Sequence, residues 1–131
     1  MQISLFCYRA KITSVYDGDT CTADIDLGLS TWVHGEKLRL YRINTPELRG
    51  PEREQGIIAR DFVRNLILGK EVIVQTIVDK KGKFGRYLAE IWVVADEGRW
   101  INVNDHLIEK GYAEYYQEKV QAVTVDLNTV L

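Results

Sequence analysis

Cysteine, histidine and proline are scarce in this sequence, with two of each among its 131 residues. Two thiols supply neither a disulfide framework nor a zinc site, so both Cys7 and Cys21 are interpreted as small buried apolar groups with no bridge between them. His34 and His106 do not have the spacing of a metal-ligand pair, which argues against a histidine-based active site. These scarcities exclude the disulfide-rich and zinc-bound classes of small domain.

The sequence also lacks a long apolar run and an excess of basic residues. No segment approaches about 18 consecutive apolar residues, so no membrane span is expected. Residues 1–9 do not resemble a secretory signal, which favours a cytoplasmic location and leaves secretion open only for a trimmed precursor. The formal net charge is −2, whereas proteins that coat nucleic acid are usually basic. Any attraction to a polyanion must therefore be local or come from a bound metal.

The rest of the composition is that of one globular domain. Hydrophobic residues make up 46% of the chain and charged residues 27%, which argues against disorder. A chain of this length can bury about two thirds of the surface that it exposes when unfolded. We therefore expect a single domain over residues 1–131, present as a monomer.

The first third of the chain predicts a β-hairpin and a third strand. Apolar and polar residues alternate over residues 6–16 and again over residues 19–27. Asp17-Gly18 between them is a favourable two-residue turn, because both positions tolerate a positive φ. Residues 28–35 are predicted as a loop and residues 37–43 as the third strand.

Two helices and two further strands follow. Apolar residues at three-and-four spacing predict a helix over residues 54–68, and residues 103–110 form a second. Strands are predicted over residues 71–79 and 86–94, whereas the tail from Gln117 on is weakly patterned. The order of elements predicts a mainly β fold with helices (α+β), namely a five-stranded Greek-key barrel of the OB type with two to three helices.

Three segments place charge where a purely structural barrel does not need it, and the first is Asp17-Gly18-Asp19-Thr20. Asp19 shares the parity of the apolar side of its strand, so its carboxylate is expected to point toward the core at the barrel mouth. A carboxylate there requires a cation, a metal or backbone donors. The alternative is a second turn acid that caps its own backbone.

The second and third segments carry both arginine and oxygen donors. Arg39 lies in mid-strand, where a partly buried guanidinium needs a partner. The Asn44 side chain, the Thr45 carbonyl and the Glu47 carboxylate offer hard oxygens on the following turn, although an ordinary Arg–Glu pair would explain them as well. The third segment, Lys83-Phe84-Gly85-Arg86, leads into the last barrel strand, and its alternative is a plain basic loop.

Together the three segments resemble the active-site segments of the staphylococcal nuclease (thermonuclease) family. That family's pattern is Asp-Gly-Asp-Thr, then an arginine in a strand leading to Asp-x-Pro-Glu, then Lys-Tyr-Gly-Arg-x-Leu-Ala. The matching segments are Asp17-Gly18-Asp19-Thr20, Arg39 leading to Asn44-Thr45-Pro46-Glu47, and Lys83-Phe84-Gly85-Arg86-Tyr87-Leu88-Ala89. The resemblance covers about Ala10 to Tyr116 and implies a nuclease that cuts phosphodiester bonds in DNA or RNA.

The resemblance implies one bound divalent ion, calcium. Asp19, Asn44 and the Thr45 carbonyl would be its protein ligands, with water completing the shell. Calcium accepts six to eight hard oxygens in loose geometry, so few protein ligands leave room for substrate and water.

The resemblance also implies how the substrate is handled. Glu47 would hold or activate the attacking water as general base, and Arg39 and Arg86 would clamp the scissile phosphate through bidentate contacts. Two carboxylates, two arginines and one dication leave the site with a charge of about +2, which attracts a phosphodiester although the whole chain is acidic. The nucleic-acid contacts would be Lys83, Phe84 and Tyr115.

Two positions depart from the family pattern. Asn44 replaces an acidic ligand, so the site loses one negative charge and we expect weaker metal binding. Phe84 replaces a tyrosine and removes one hydroxyl contact. Tyr115 and Tyr116 lie near the family's base-stacking tyrosines, and packing against the last helix is the alternative for both.

Two other functions compete with the nuclease. One is a non-catalytic barrel that only binds nucleic acid or protein, for which degenerate repeats of this family in scaffold proteins are the precedent. Such modules typically lose the arginines and the glutamate, whereas this chain keeps Arg39, Arg86 and Glu47. The other is a structural barrel with a polar mouth, which leaves the convergence of charged residues unexplained.

Overall fold

A computed structural model describes residues 2–116 and 124–126 of the chain. Its elements are, in order, β1 (Gln2–Ser4), β2 (Cys7–Asp17), β3 (Thr20–Gly28), β4 (Thr31–Leu40), β5 (Ile43–Asn44), a 3-10 turn (Gly50–Glu52), α1 (Arg53–Ile67), β6 (Glu71–Thr76), β7 (Tyr87–Val94), β8 (Trp100–Asn102), α2 (Val103–Glu109), β9 (Glu114–Tyr115) and β10 (Thr124–Asp126). Apart from β10, the weakly patterned tail from Gln117 on lies outside the described residues.

Five of these strands close into a barrel. β2, β3 and β4 form consecutive antiparallel hairpins, and β6 pairs with both β2 and β7. A parallel pairing between β4 and β7, with Arg39 opposite Leu88, closes the ring. The predicted mainly β barrel of the OB type with helices is confirmed. None of the described helices is long and apolar enough to cross a membrane.

Alternating side chains fill the barrel and the helices cover it. Along β3 the buried residues are Cys21, Ala23 and Ile25, as the period-two pattern predicts. On α1 the buried residues Ala59, Val63 and Ile67 recur every four positions, so one face of the helix packs on the core. α2 begins at the predicted cap Asn102, whose side-chain oxygen accepts the Asp105 N–H at 2.9 Å.

The predicted loop over residues 28–35 is wrong. Only Leu29 and Ser30, both with positive φ (54° and 61°), form the turn, because β3 ends at Gly28 and β4 begins at Thr31. The β3–β4 ladder has irregularities that shift its register, and Asp24 bridges one of them by accepting the Gly35 N–H at 3.0 Å. Such bulges interrupt strict alternation, which is why the sequence pattern does not reveal this part of the strand.

Several other boundaries differ from the predictions. The third strand ends at Leu40, because Arg42 takes a φ of 61° and turns the chain; Ile43–Asn44 then pairs separately with β9. The fourth barrel strand ends at Thr76 rather than at residue 79, and β8 is a strand that the sequence does not predict. Short edge pairings carry too few residues for a periodic signal.

The two cysteines differ in burial. Cys21 is buried, and burial raises the pKa of its thiol to about 12. Cys7 is exposed, so the prediction that it is buried is wrong. Both thiols are free, as expected.

A polar network anchors the corner between β4 and β5, from which Asn44 and Thr45 extend. The buried Asn104 side chain donates to the Tyr41 and Ala89 carbonyls at 3.0 Å each. Arg42 on the same corner makes ion pairs with Glu90 and Asp105. Because buried amide and guanidinium groups are costly to leave unpaired, this network holds the corner against β7 and α2.

Candidate functional site

The three polar segments meet at one mouth of the barrel. They line a cleft of about 930 Å³. The predicted site residues on its wall are Asp19, Arg39, Asn44, Glu47, Phe84 and Arg86. Segments that are as much as 67 positions apart in the chain are brought together because β3, β4 and the start of β7 are neighbours in the closed barrel.

Asp19 is a buried carboxylate that joins two elements. It is 7% exposed, and its Oδ2 accepts the Thr45 backbone N–H at 3.0 Å. Its Oδ1 accepts the Thr20 hydroxyl at 3.2 Å. The neighbouring Asp17 performs the local turn contact instead, by accepting the Asp19 N–H at 3.0 Å. Asp19 therefore points inward, as its parity predicts, and is not a simple turn cap.

Gly18 lets this turn approach the Thr45 turn closely. A Cβ at Gly18 would lie 2.7 Å from the Thr45 side chain, closer than real atoms pack. The Thr45 hydroxyl is buried, and within the part of the chain that the structure describes it has no hydrogen-bond partner. A buried hydroxyl without a partner is destabilising, so a polar ligand in this crevice would supply the hydrogen bond that the Thr45 hydroxyl lacks.

Two carboxylates crowd this turn. Burial, and then the nearby charge of Asp19, raise the pKa of Asp17 to about 6. A carboxyl that is hard to ionise because it is buried beside another carboxylate favours a cation in its neighbourhood.

Four acceptor groups contact the Arg39 guanidinium. Its Nη1 donates to the Leu40 and Ile43 carbonyls at 2.6 and 3.0 Å. Its Nη2 donates to Asn44 Oδ1 at 2.7 Å and lies 3.4 Å from Asp19 Oδ2. Only 12% of the side chain is exposed. The expected partner of the buried guanidinium is thus a set of carbonyls, an amide and a carboxylate, and not Glu47.

The contacts of Arg39 also test whether the predicted ligands suit a calcium ion. Asp19 Oδ2 and Asn44 Oδ1 both contact Arg39 Nη2, so a carboxylate and an amide oxygen lie around the same cationic nitrogen. Hard oxygens of this kind are the donors that calcium prefers. Among the described residues there is no group of three or more His, Cys, Asp or Glu that could hold a metal. A metal site here would therefore depend on amide and backbone oxygens as well as on Asp19.

Glu47 is positioned by its backbone and leaves its side chain in the cleft. A Cβ on Gly56 of α1 would lie 2.2 Å from the Glu47 carbonyl oxygen, so the helix touches this turn directly. The Glu47 N–H donates to Glu52 Oε2 at 3.1 Å. The exposed Glu47 carboxylate makes no ion pair with any other described side chain.

Arg86 is held far more loosely than Arg39. Its one side-chain hydrogen bond within the described residues is a 3.5 Å contact from Nη1 to the Thr20 hydroxyl. Its guanidinium lies 5.4 Å from the centre of the Phe84 ring, and Lys83 Nζ lies 5.1 Å from the same ring. Most of the Arg86 donors are therefore available to an anion in the cleft.

A second compartment of about 430 Å³ adjoins the first and shares Arg39, Asn44, Phe84 and Arg86 with it. Lys83 lines this compartment, and so does Tyr116. Tyr115, the predicted stacking residue, is 67% exposed, pairs with Ile43 in the β5–β9 ladder and lines neither compartment. Consecutive residues of an extended chain point to opposite faces, so the two tyrosines do not share a face. Which of them faces the site depends on where β9 begins, and the sequence does not reveal this.

Sequence reasoning missed several other residues on the cleft wall, including Tyr16, Lys37, Arg60 and Arg64. Two signals were present in the sequence. Lys37 has the same strand parity as Arg39, and Arg60 and Arg64 have the i, i+4 spacing of one helix face. With them the cleft carries five basic and three acidic residues, whereas the whole chain has a net charge of −2.

The closed barrel makes this chain an OB-type barrel, and its charged cleft lies at one mouth. Comparison with known proteins is more specific. The family model described as "Staphylococcal nuclease homologue" matches residues 37–128. This is more than half of the chain, and the protein therefore belongs to the staphylococcal nuclease homologue family, as the three motifs predict.

Two known proteins are similar to this chain at low sequence identity. An uncharacterised protein of Methanocaldococcus jannaschii is 30% identical over 130 residues, covering 83% of this chain and 59% of its own length. A thermonuclease of Staphylococcus hyicus is 26% identical over 122 residues, covering 85% of this chain and 66% of its own length. The chain thus spans about 59% to 66% of the length of these relatives.

Proposed function

We propose that this protein is a calcium-dependent nuclease that hydrolyses phosphodiester bonds in DNA or RNA. One observation carries the proposal. The cleft brings a carboxylate without an ion partner among the described residues, Glu47, together with an arginine whose donors are largely unused, Arg86. The family membership supports the same reaction class.

The calcium ion would be held by Asp19, Asn44 and the Thr45 carbonyl. Asp19 Oδ2 and Asn44 Oδ1 both contact Arg39 Nη2, and this nearness of two hard oxygens supports the assignment, although the ion would displace both contacts. When bound, the ion supplies positive charge that polarises a phosphoryl oxygen and favours attack by water.

Glu47 is the proton acceptor for the attacking water. A general base must reach the water that it deprotonates and must not be neutralised by a permanent partner. The exposed carboxylate of Glu47 in the cleft supports this role, because the backbone contacts with Gly56 and Glu52 fix the turn and leave the side chain available.

Arg86 stabilises the charge that develops on the phosphate oxygens. A guanidinium offers a planar pair of N–H donors that match two phosphate oxygens, which an ammonium group cannot do. Arg39 contributes positive charge at a fixed place, while most of its hydrogen bonds are already made within the protein.

The test is digestion of denatured DNA and of RNA by the purified protein in calcium, magnesium, manganese and chelator. Glu47→Ala and Arg86→Ala are the test variants, and Arg99→Ala, an exposed arginine outside the cleft, is the matched control. Cutting that requires calcium and that both test variants lose, with the control active, is the expected result. Cutting that survives in Glu47→Ala would refute the assignment of the base.

One observation favours a second function. Arg39 binds both Asp19 and Asn44 and so competes with a metal for the same oxygens. If it does so in solution, the protein is a non-catalytic barrel that binds nucleic acid or protein. Strand binding without cutting in any of the metals would support this alternative.

A further inference from the structure

We infer that the cleft holds a second phosphate-binding subsite beyond the scissile position, so that a single-stranded nucleic acid runs across the outer face of the barrel. The inference rests on the proposed function for what happens at the first position. The subsite itself is built from Ser14, Tyr16, Thr22, Lys37 and Arg60, all of which line the 930 Å³ cleft. None of the three motifs contains any of these residues.

The register of three neighbouring strands aligns three of these residues in one row. Ser14 of β2 lies opposite Thr22 of β3, which lies opposite Lys37 of β4. One row across three strands therefore presents two hydroxyls and an ammonium group to the cleft. Thr20 and Arg39 form the next row. Adjacent rows on one face are two residues apart, which is roughly 7 Å.

Helix α1 supplies another basic residue. Arg60 of α1 lines the same cleft as Lys37. It makes one ion pair, at 3.1 Å, with its sequence neighbour Asp61, which is largely exposed. Such surface pairs contribute little and are easily exchanged for another anion. Lys37 and Arg60 therefore bring two positive charges to the wall of this cleft, which favours a second backbone phosphate there.

The aromatic side chain of Tyr16 also belongs to the subsite. Tyr16 is 62% exposed although it lies within a strand. It follows an irregularity of the β2–β3 ladder between Val15 and Asp17. Arg64 holds the Val15 carbonyl there through Nε and Nη2, at 3.3 and 3.1 Å. An exposed ring on a fixed backbone beside a phosphate site is the arrangement that proteins use to stack a base of a single strand.

The smaller compartment, with Lys83 and Tyr116, shares Arg39 and Arg86 with the cleft and contains none of these five residues. A strand bound in both compartments would pass through the site, so that cutting within a chain is favoured over removal of its end.

The experiment measures binding in chelator, by fluorescence anisotropy, of single-stranded DNA and RNA probes of about 12 nucleotides at several salt concentrations. The variants are Lys37→Ala/Arg60→Ala and Tyr16→Ala. The matched control is Lys110→Ala/Arg99→Ala, which removes the same charge from exposed positions outside the cleft.

We expect the double variant to raise Kd about tenfold. The slope of log K against log salt should become shallower by about 0.7 for each phosphate that the variant no longer neutralises. Tyr16→Ala should raise Kd about fivefold or more, and Tyr16→Phe should retain binding, because the ring and not the hydroxyl stacks. The weakening of binding in the double variant should be smaller for a dinucleotide, which cannot span both rows.

The outcomes separate this inference from the proposed nuclease. If the wild-type protein cuts strands but the double variant and its control bind equally, the subsite is wrong and the nuclease stands. If no cutting occurs but the double variant loses binding, the subsite stands and the nuclease fails. If the wild-type protein neither binds nor cuts, both fail.

Discussion

Arg39 and Arg86 line the same cleft, but they differ in how much of the protein each one holds in place. Arg39 joins two carbonyls, an amide and a carboxylate and is almost buried. Arg86 makes one long hydrogen bond to a described residue and lies beside a phenyl ring. One residue type therefore has two different roles in this site. Arg39 stabilises the β4–β5 side, whereas the N–H donors of Arg86 on the loop side are available to an anion.

The difference follows from where each arginine lies in the barrel. Arg39 is in the middle of the β4–β7 closure, where strand carbonyls and the Asp19 turn surround it. Arg86 precedes β7 at the end of a loop, after Gly85 with a φ of 73°. Burial in the first place demands that every donor be satisfied, whereas exposure in the second does not.

The largest effect should come from Arg86→Ala, measured as activity. Loss of a donor that acts mainly on the charge of the transition state lowers kcat by about 100- to 1000-fold. Stability should change by less than about 1 kcal/mol, because little of the protein depends on this side chain. Steady-state kinetics and urea unfolding of the same preparation measure both. A variant that unfolds much more easily would contradict the comparison.

Arg39→Ala should show the opposite balance. It removes the guanidinium from two carbonyls, the Asn44 amide oxygen and the Asp19 carboxylate at once, at a cost of about 2–3 kcal/mol in the free energy of unfolding. Arg39→Lys should recover only part of that loss, since an ammonium group cannot reach all four acceptors at once. Urea unfolding in chelator is the measurement. Equal stability of Arg39→Ala and Arg86→Ala would remove the distinction between the two arginines.

Gly56→Ala tests the support beneath Glu47. The added methyl would collide with the Glu47 carbonyl, and overpacking of this kind costs roughly 1–3 kcal/mol. Activity should fall further than stability alone explains, because the turn that carries the base must move. Gly82→Ala is the control, since its Cβ would meet its nearest neighbour at 3.7 Å. Similar kinetics for both variants would show that Glu47 does not depend on this contact.

Asn44→Asp should have the smallest effect. A carboxylate in place of the amide adds a charge to the proposed ligand set, so calcium should bind up to about tenfold more tightly. Half-saturating calcium for cutting, and the dependence of Tm on calcium, report the change. An unchanged calcium dependence would mean that Asn44 is occupied by Arg39 and is not a ligand.

Much of the site was predictable because its residues are local in the sequence or follow strand parity. The inward direction of Asp19 follows from the alternation that buries Cys21 and Ala23, and the family follows from three short motifs. The partners of Arg39 were not predictable, because two of them are backbone carbonyls at a corner whose shape depends on Arg42 and β9. The loop over residues 28–35 was mistaken for the same reason, since bulges are set by the partner strand.

By itself the sequence determined most of the element types, the mainly β class, the family and the motif residues that face the mouth. Periodicity and motif spacing are local properties, so they can be read from the sequence without knowledge of tertiary contacts. Only the tertiary structure decided which arginine is saturated, that Tyr116 and not Tyr115 lines the smaller compartment, and that Lys37 and Arg60 line the same cleft. Those facts depend on how distant segments pack, because a side chain's availability is set by its neighbours in space and not by its neighbours in the chain.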